Sequence, residues 1–124
     1  MIIGIGTDIV QVGRIERVLN KNPRFEQKVF TPAESAYCNS RANPAQSFSA
    51  RFAAKEALMK ALGTGWDNGI SWLEIEVLNN EFGKPAIALS GTCAEAALSM
   101  GIKRLHLSLS HEKEYAIACL VAEA

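Results

Sequence analysis

The stretch RFAAKEALMKALGTG, residues 51–65, has the pattern of a helix that is buried on almost every side. At about 100° per residue its apolar side chains occupy three flanks, and glycines 63 and 65 are typical of a helix end. The stretch nevertheless carries four charged residues, which are Arg51, Lys55, Glu56 and Lys60. Because an unmatched buried charge is costly, charges so close to a core should be paired or should hold a ligand.

Two interpretations of these charges are open. In the first, Glu56 and Lys60, at i and i+4, form an ordinary helical ion pair worth about 0.2–0.5 kcal/mol, and Arg51 and Lys55 extend past the leucines to water. In the second, the charges bind a ligand. The helix pattern alone does not choose between the two.

A further carboxylate, Asp8, follows a short β-branched strand at residues 1–5. Gly4 and Gly6 allow other groups to come close to the backbone there. Asp8 is either the N-cap of the next helix or, together with Glu56, a ligand of a Mg²⁺ ion that substrate phosphate also binds. The segment GIGTDIV lacks the third glycine of the dinucleotide signature Gly-x-Gly-x-x-Gly, which disfavours a Rossmann site.

The remaining pattern predicts an α+β fold with a mostly antiparallel sheet packed on one long helix and shorter helices. A basic amphipathic helix covers residues 12–20, and Thr31 caps a short helix. Residues 39–47 form a loop before the long helix, which begins near Phe48. The other predicted elements are strands at 71–78, 85–90, 104–110 and 115–122 and a helix at 91–101.

The last predicted strand is apolar on both of its faces. A strand of this kind is covered on both sides in the folded protein. Helices of the same chain and a neighbouring subunit are the two candidates for the second cover. We therefore expect a small oligomer that packs its sheets together.

Composition indicates a globular protein with one domain, residues 1–124, of which 48% are hydrophobic and 21% charged. No apolar run approaches the roughly 20 residues of a membrane span, and the start lacks the pattern of a secretory leader. We therefore expect a cytoplasmic protein without a membrane partner. The three cysteines are too scattered for a metal site.

The formal net charge of zero conceals a basic half. Residues 1–65 hold nine Lys and Arg against five Asp and Glu, whereas residues 66–124 hold four against eight. Arg14, Arg17 and Lys21 fall on one side of the predicted helix and form a basic stripe. The stripe is either a solvated face or a docking surface for an anionic partner. Without interleaved aromatic residues or overall basicity, a nucleic-acid partner is disfavoured.

Five segments together resemble the bacterial holo-[acyl carrier protein] synthases, the small 4′-phosphopantetheinyl transferases. They are GIGTDIV (4–10), KVFTPAE (28–34), RFAAKEALMKALGTG (51–65), FGKPAIALSG (82–91) and LHLSLSHEKEYAIACLV (105–121). The resemblance runs the length of the chain in the same order. It implies the phosphopantetheinyl transferase fold, in a trimer whose active sites lie between subunits.

The resemblance also implies an activity, the transfer of 4′-phosphopantetheine from coenzyme A to a serine of apo acyl carrier protein in fatty acid biosynthesis, which releases adenosine 3′,5′-bisphosphate. It implies that Asp8 and Glu56 hold Mg²⁺, or Mn²⁺ in its place, and that Lys60 stabilises charge on the phosphate. The residues that it implies in coenzyme A binding are Arg51, Lys55, Lys84, Pro85 and His111. The basic stripe, with Arg14 foremost, would dock the acidic carrier protein.

An alternative from another class is a non-catalytic oligomeric module that binds a phosphorylated ligand, with Glu56 and Lys60 as a structural pair. Magnesium dependence distinguishes the two, because only the transferase loses turnover in EDTA and regains it with Mg²⁺ or Mn²⁺. By position alone, His111 is a surface residue at a tight turn. The general base for the serine proton stays open between Glu56, His111 and a metal-bound water.

Overall fold

The computed structural model describes residues 1–64 and 69–124. The predicted α+β class with antiparallel sheets is confirmed. The elements within the described ranges are β1 (Ile2–Gln11), α1 (Val12–Lys21), α2 (Pro23–Val29), α3 (Pro32–Asn39), α4 (Pro44–Leu62), a 3₁₀ turn (Trp72–Glu74), β2 (Ile75–Asn79), β3 (Pro85–Leu89), α5 (Gly91–Ser99), β4 (Arg104–His111) and β5 (Tyr115–Glu123).

The strands form two antiparallel sheets. The larger sheet has the order β1-β5-β4, and the register pairs Asp8 of β1 with Ala118 of β5. The smaller sheet is the β2-β3 hairpin, in which Val77 lies opposite Ile87. Helix α4 packs on the larger sheet and also contacts β2, while β3 lies against β4, so the two sheets adjoin directly as well as through the helix.

Two glycines of β1 allow the strand to lie directly on α4. A Cβ atom at Gly6 would overlap the carbonyl oxygen of Ala57, and one at Gly4 would overlap the carbonyl oxygen of Ala61. The predicted close approach at these glycines is therefore confirmed, and the approaching group is the backbone of α4. Because Gly4 lies on Ala61 and Gly6 on Ala57, β1 runs antiparallel to α4, and Asp8, two residues after Gly6, lies within reach of the Lys60 side chain.

The core lies between α4 and one face of the larger sheet. Alternate residues of β5, namely 116, 118, 120 and 122, are fully buried against the helix. The opposite face carries exposed apolar side chains, which are Ile5, Ile9, Tyr115 and Ile117. Among the described residues, α4 therefore covers one face of this sheet and no helix covers the other.

Several predicted boundaries are wrong, and two of the errors have one cause. Helix α2 was not predicted, and α4 begins at Pro44 instead of Phe48, so residues 44–47 are not a loop. Both helices begin with an asparagine N-cap, Asn22 or Asn43, followed by proline in the first turn. This pair is a start signal for a helix as well as for a turn.

Two strand boundaries are also wrong. Strand β1 continues to Gln11, six residues beyond its predicted end, because its pairing with β5 continues to Tyr115. The predicted strand at 71–78 begins as a 3₁₀ turn and becomes β2 only at Ile75. The long helix ends at Gly63, as predicted, and Gly65, just beyond that end, lies outside the described residues. No helix in the described part of the chain has both the length and the apolar character of a membrane span.

Candidate active site

Asp8 and Lys60 meet where β1 crosses α4. The Lys60 ammonium donates to Oδ1 of Asp8 at 3.0 Å and to the carbonyl oxygen of Thr7 at 2.9 Å. The Asp8 side chain is 16% exposed and the Lys60 side chain 54% exposed, so solvent reaches the pair. The N-cap of α1 is Gln11, which means that the alternative of Asp8 as a helix cap is wrong.

Glu56 lies one helical turn before Lys60 on α4 and is half-buried. Residues four apart on a helix lie on one face, about 6 Å apart at their Cβ atoms. Because Gly6 of β1 rests on Ala57, the crossing brings the strand that carries Asp8 against this part of the helix. The structure therefore brings Asp8 and Lys60 into contact, and Glu56 lies one turn before Lys60 on the part of the helix that β1 covers.

The carboxylates of this group suit one kind of metal binding. The described residues contain no cluster of three or more His, Cys, Asp or Glu side chains that could hold a metal ion. Magnesium, however, is usually held by one or two carboxylates together with substrate phosphates and water. Asp8 and Glu56 match that donor set, whereas a zinc centre needs more protein ligands.

Lys55 does not belong to the crossing, and the prediction that it contacts coenzyme A needs correction. Its ammonium is fully buried and donates to Oε1 of Glu34 at 2.7 Å and to the carbonyl oxygens of Val29 and Trp72 at 2.6 and 3.1 Å. Burial lowers the pKa of Lys55, and the Glu34 carboxylate opposes that shift. All three ammonium protons have partners inside the protein, so none is left for a phosphate.

Arg51, one turn before Lys55, forms the wall of a cleft. Its guanidinium lies over the Tyr37 ring at 4.2 Å and donates to Oδ1 of Asn79. Its Nε atom is buried and has no hydrogen-bond partner among the described residues. The cleft measures about 510 Å³, and Arg41 also borders it. Arg51 itself is buried and Glu81 also borders the cleft, so the exposed guanidinium of Arg41 is the group most open to an anionic ligand there.

The turn between β2 and β3 borders the same cleft and is held by its own side chains. The Asn80 carboxamide accepts from the backbone N–H groups of Phe82 and Lys84, both at 2.9 Å. Gly83, with φ +82°, occupies a conformation that favours glycine. The turn presents Lys84 to solvent, and Pro85 begins β3.

His111 lies elsewhere on the chain. It ends β4, is exposed, and borders a cleft of about 340 Å³ together with Ile9, Tyr115 and Ile117. This cleft opens on the uncovered apolar face of the larger sheet, whereas the Arg51 cleft lies against α3 and β2. A single chain thus carries the predicted coenzyme A residues in separate places, because Lys84 and Pro85 border a further cleft of about 340 Å³.

The basic stripe is exposed on α1, as its pattern predicts. Arg14, Arg17 and Lys21 face solvent, while Val12 and Ile15 on the other side of the helix are buried. Helix α1 follows β1 without a loop. The stripe therefore begins six residues after the carboxylate at the crossing.

Sequence reasoning missed three side chains that shape the Arg51 cleft. Glu34 was expected only as the third residue of a helical capping box, which is confirmed, but it is also fully buried. Tyr37 and Asn79, which hold the Arg51 guanidinium, were not singled out. The only signal in the sequence is the spacing of Tyr37, which follows Glu34 by one turn of α3, and Asn79 has no such signal.

Comparison with known proteins identifies the family. Residues 4–120 match the model of the 4′-phosphopantetheinyl transferase superfamily. The chain belongs to this superfamily. It is 45% identical over 124 residues to the holo-[acyl-carrier-protein] synthase of Koribacter versatilis, and the match covers 99% of each protein. The predicted family is thereby confirmed.

Solved transferases of the family have the same fold. The holo-[acyl-carrier-protein] synthase of Neisseria meningitidis superposes with a TM-score of 0.90 at 36% identity, with both chains covered completely. The Bacillus anthracis synthase in complex with CoA (3′,5′-ADP) gives a TM-score of 0.83 at 37% identity over 100% of this chain and 98% of that one. These likenesses confirm the predicted α+β transferase fold.

Proposed function

We infer that this protein transfers the 4′-phosphopantetheine group of coenzyme A to a serine of apo acyl carrier protein and releases adenosine 3′,5′-bisphosphate. The observation that carries the inference is the crossing of β1 and α4. There Asp8 contacts Lys60, with Glu56 one turn away, in a chain that resembles holo-[acyl-carrier-protein] synthases over its whole length. Both substrates are phosphate-bearing or acidic, which fits the basic N-terminal half.

Asp8 and Glu56 are the residues that we propose as Mg²⁺ or Mn²⁺ ligands. When bound, the metal would neutralise pyrophosphate oxygens and polarise the phosphorus that the serine attacks. Lys60 is exposed enough to exchange Asp8 for a phosphate oxygen and to offset the charge that develops on the departing phosphate. Most of the rate enhancement would then come from positioning and charge neutralisation.

The Arg51 cleft is the place that we propose for the nucleotide phosphates. Arg51 has an unpartnered Nε among the described residues, and Arg41 borders the same cleft. Lys84 and Pro85 lie on the adjoining turn and would contact the rest of coenzyme A. The predicted role of Arg51 is kept, and that of Lys55 is dropped.

A trimer with active sites between subunits is a further proposal. It is supported by the apolar sheet face of Ile5, Ile9, Tyr115 and Ile117, which no helix in the described ranges covers. His111 borders this face, away from the Arg51 cleft. In such a trimer, His111 of one chain would complete the coenzyme A site of its neighbour. Sedimentation as a monomer at micromolar concentration would contradict the shared site.

The exposed basic stripe of Arg14, Arg17 and Lys21 is the surface that we propose for the carrier protein. Charges at the rim of an interface act mainly on the association rate and on its salt dependence.

Three further predictions remain: residues 1–124 form a single domain, the protein is cytoplasmic, and it acts in fatty acid biosynthesis. Fractionation of cells that express a tagged chain would test the location.

The test of the activity is intact-mass spectrometry of an apo acyl carrier protein incubated with this protein, coenzyme A and Mg²⁺. We expect the carrier to gain the mass of one phosphopantetheine group, and Glu56→Gln to abolish the gain. The matched control is Glu95→Gln, which removes an exposed carboxylate of α5 and should leave the reaction unchanged.

The same assay separates the transferase from a non-catalytic module that binds a phosphorylated ligand. In EDTA the transferase should stop and then resume when Mg²⁺ or Mn²⁺ is added. Binding of coenzyme A without any mass change, by folded protein and with a competent carrier, would favour the binding module.

A further inference from the structure

Three elements meet at the buried carboxylate of Glu34. On α3, Glu34 Oε1 accepts from Lys55 of α4 at 2.7 Å, and its Oε2 accepts from the backbone N–H of Val77 on β2 at 2.8 Å. Oε1 also accepts from the Thr31 N–H at 2.9 Å, which caps α3. Both charged side chains are 0% exposed. We name Glu34, Lys55 and Val77 the buried anchor.

The same three elements supply the wall of the Arg51 cleft. Tyr37 lies three residues after Glu34 on α3, Arg51 lies four residues before Lys55 on α4, and Asn79 lies two residues after Val77 on β2. Arg51 joins the other two side chains, because it stacks on Tyr37 and donates to Asn79. Each element therefore gives one residue to the anchor and a neighbour on the same face to the cleft wall.

The contacts continue from the anchor to the turn beside the cleft. The Asn79 carboxamide donates from Nδ2 to the carbonyl oxygen of Gly83 at 3.0 Å, next to Lys84. A change in the distance between β2 and α4 would therefore move Asn79, the turn and the Arg51 guanidinium relative to one another. The carboxylate of Glu34 fixes that distance, since it bonds both elements at once.

A buried ion pair is weak evidence for stability, because hydrophobic replacements of similar volume are often equally stable. A pair with fixed partners does, however, specify one arrangement of the elements that it joins. We propose that Glu34 and Lys55 are positioning residues, which hold Arg51, Tyr37 and Asn79 in the arrangement that binds the nucleotide part of coenzyme A. The proposal rests on the transferase function inferred above.

The test uses Glu34→Gln and the double variant Glu34→Gln/Lys55→Met, which removes both charges and leaves none buried without a partner. Neither Glu34 nor Lys55 contacts the crossing of β1 and α4, so the folded variants should still catalyse the transfer of phosphopantetheine. We expect the KM for coenzyme A to rise about tenfold or more, with kcat and the KM for carrier protein changed by less than about threefold, as for lost uniform binding. Calorimetric titration with adenosine 3′,5′-bisphosphate should show the same loss of affinity without turnover.

Glu74→Gln is the matched control. Glu74 also caps two elements, since its carboxylate accepts from the Ser71 and Thr92 N–H groups, but it lies away from the Arg51 cleft. Glu74→Gln should lower the midpoint of thermal unfolding without changing the KM for coenzyme A or the KM for carrier protein. A role in stability alone would give this same result for Glu34→Gln and the double variant, and would overturn the proposal. Failure of the wild-type protein to modify the carrier would instead refute the proposed function.

Discussion

Helix α4 carries two lysine–carboxylate pairs that consist of the same chemical groups but differ in burial. Lys55 contacts Glu34 at 2.7 Å with both side chains fully buried, whereas Lys60 contacts Asp8 at 3.0 Å with the side chains 54% and 16% exposed. The two lysines are only five residues apart. The buried pair joins three elements of the fold, and the exposed pair stands at an open crossing.

Burial decides what each pair can do. A buried ion cannot lose its partner without an uncompensated charge in a medium of low dielectric constant, so the partners of Lys55 are fixed. An exposed pair contributes about 0–1 kcal/mol, so Lys60 can exchange Asp8 for a ligand at little cost. We therefore assign a structural role to Lys55 and a role in the reaction to Lys60.

Among variants that keep both lysines, the largest effect should come from moving the exposed pair while leaving the buried pair in place. In Gly6→Ala the new Cβ overlaps the Ala57 carbonyl oxygen, so β1 must move away from α4 and take Asp8 with it. We expect a loss of about 1–3 kcal/mol in the free energy of unfolding. We also expect kcat to fall about a hundredfold, as for a small misplacement of catalytic groups. Urea unfolding and the carrier-protein mass assay measure the two effects.

Gly13→Ala is the control for this substitution. A Cβ at Gly13 would meet only the flexible end of Arg17, at 3.6 Å. The variant should keep the activity of the wild-type protein and lose no stability, because alanine favours a helix more than glycine does. Full activity of Gly6→Ala would show that the position of Asp8 does not matter for the reaction.

A smaller effect is expected at the basic stripe, whose charges are exposed like that of Lys60. We predict that Arg14→Glu raises the KM for carrier protein about tenfold or more and leaves coenzyme A binding unchanged. The difference from wild type should shrink as salt is raised, because exposed charges are screened. Steady-state kinetics at two salt concentrations test this, with Lys103→Glu as an exposed control outside the stripe. An unchanged KM would remove Arg14 from the docking surface.

The smallest effect concerns a cysteine beside the buried anchor. Burial raises the pKa of the Cys38 thiol to about 12, so almost none of the reactive thiolate is present at pH 8. Cys38 lies one turn after Glu34, and we expect Lys55→Met to speed its alkylation about tenfold by increasing local opening.

Peptide mapping by mass spectrometry after timed alkylation gives the rates. Cys93 is the internal control, since burial raises its pKa to about 11 and it lies on α5, outside the anchor. Equal acceleration at both cysteines would indicate global unfolding in place of local opening at the anchor.

The fold could be predicted well from local patterns, but the roles of the two lysines could not. The apolar flanks of α4 predicted that this helix is buried. The glycines of β1 predicted that another group comes close to the strand backbone. The partners that separate the lysines lie far away in the chain, 21 residues for Lys55 and 52 for Lys60. Because nearly every side of α4 is apolar, helical periodicity could not tell which lysine faces the core.

The errors at helix starts have a local cause. Asparagine followed by proline begins two helices here, at Asn22 and Asn43, although the same pair is also common in turns. The Arg51 cleft was beyond prediction for a different reason. Tyr37 and Asn79 come from different elements, and their contact with Arg51 depends on how α3 and β2 pack against α4.

The most direct test of the comparison is to measure kcat and the free energy of unfolding for Lys60→Met and Lys55→Met side by side. We predict that Lys60→Met lowers kcat about 10²–10³-fold, as does the loss of one charge-stabilising donor, and changes the stability by less than about 1 kcal/mol. Lys55→Met should lose about 3–5 kcal/mol of stability, while the folded fraction keeps a kcat near that of wild type. Full activity of Lys60→Met, or a loss of kcat in Lys55→Met at unchanged stability, would contradict the assignment of chemistry to the exposed pair and structure to the buried one.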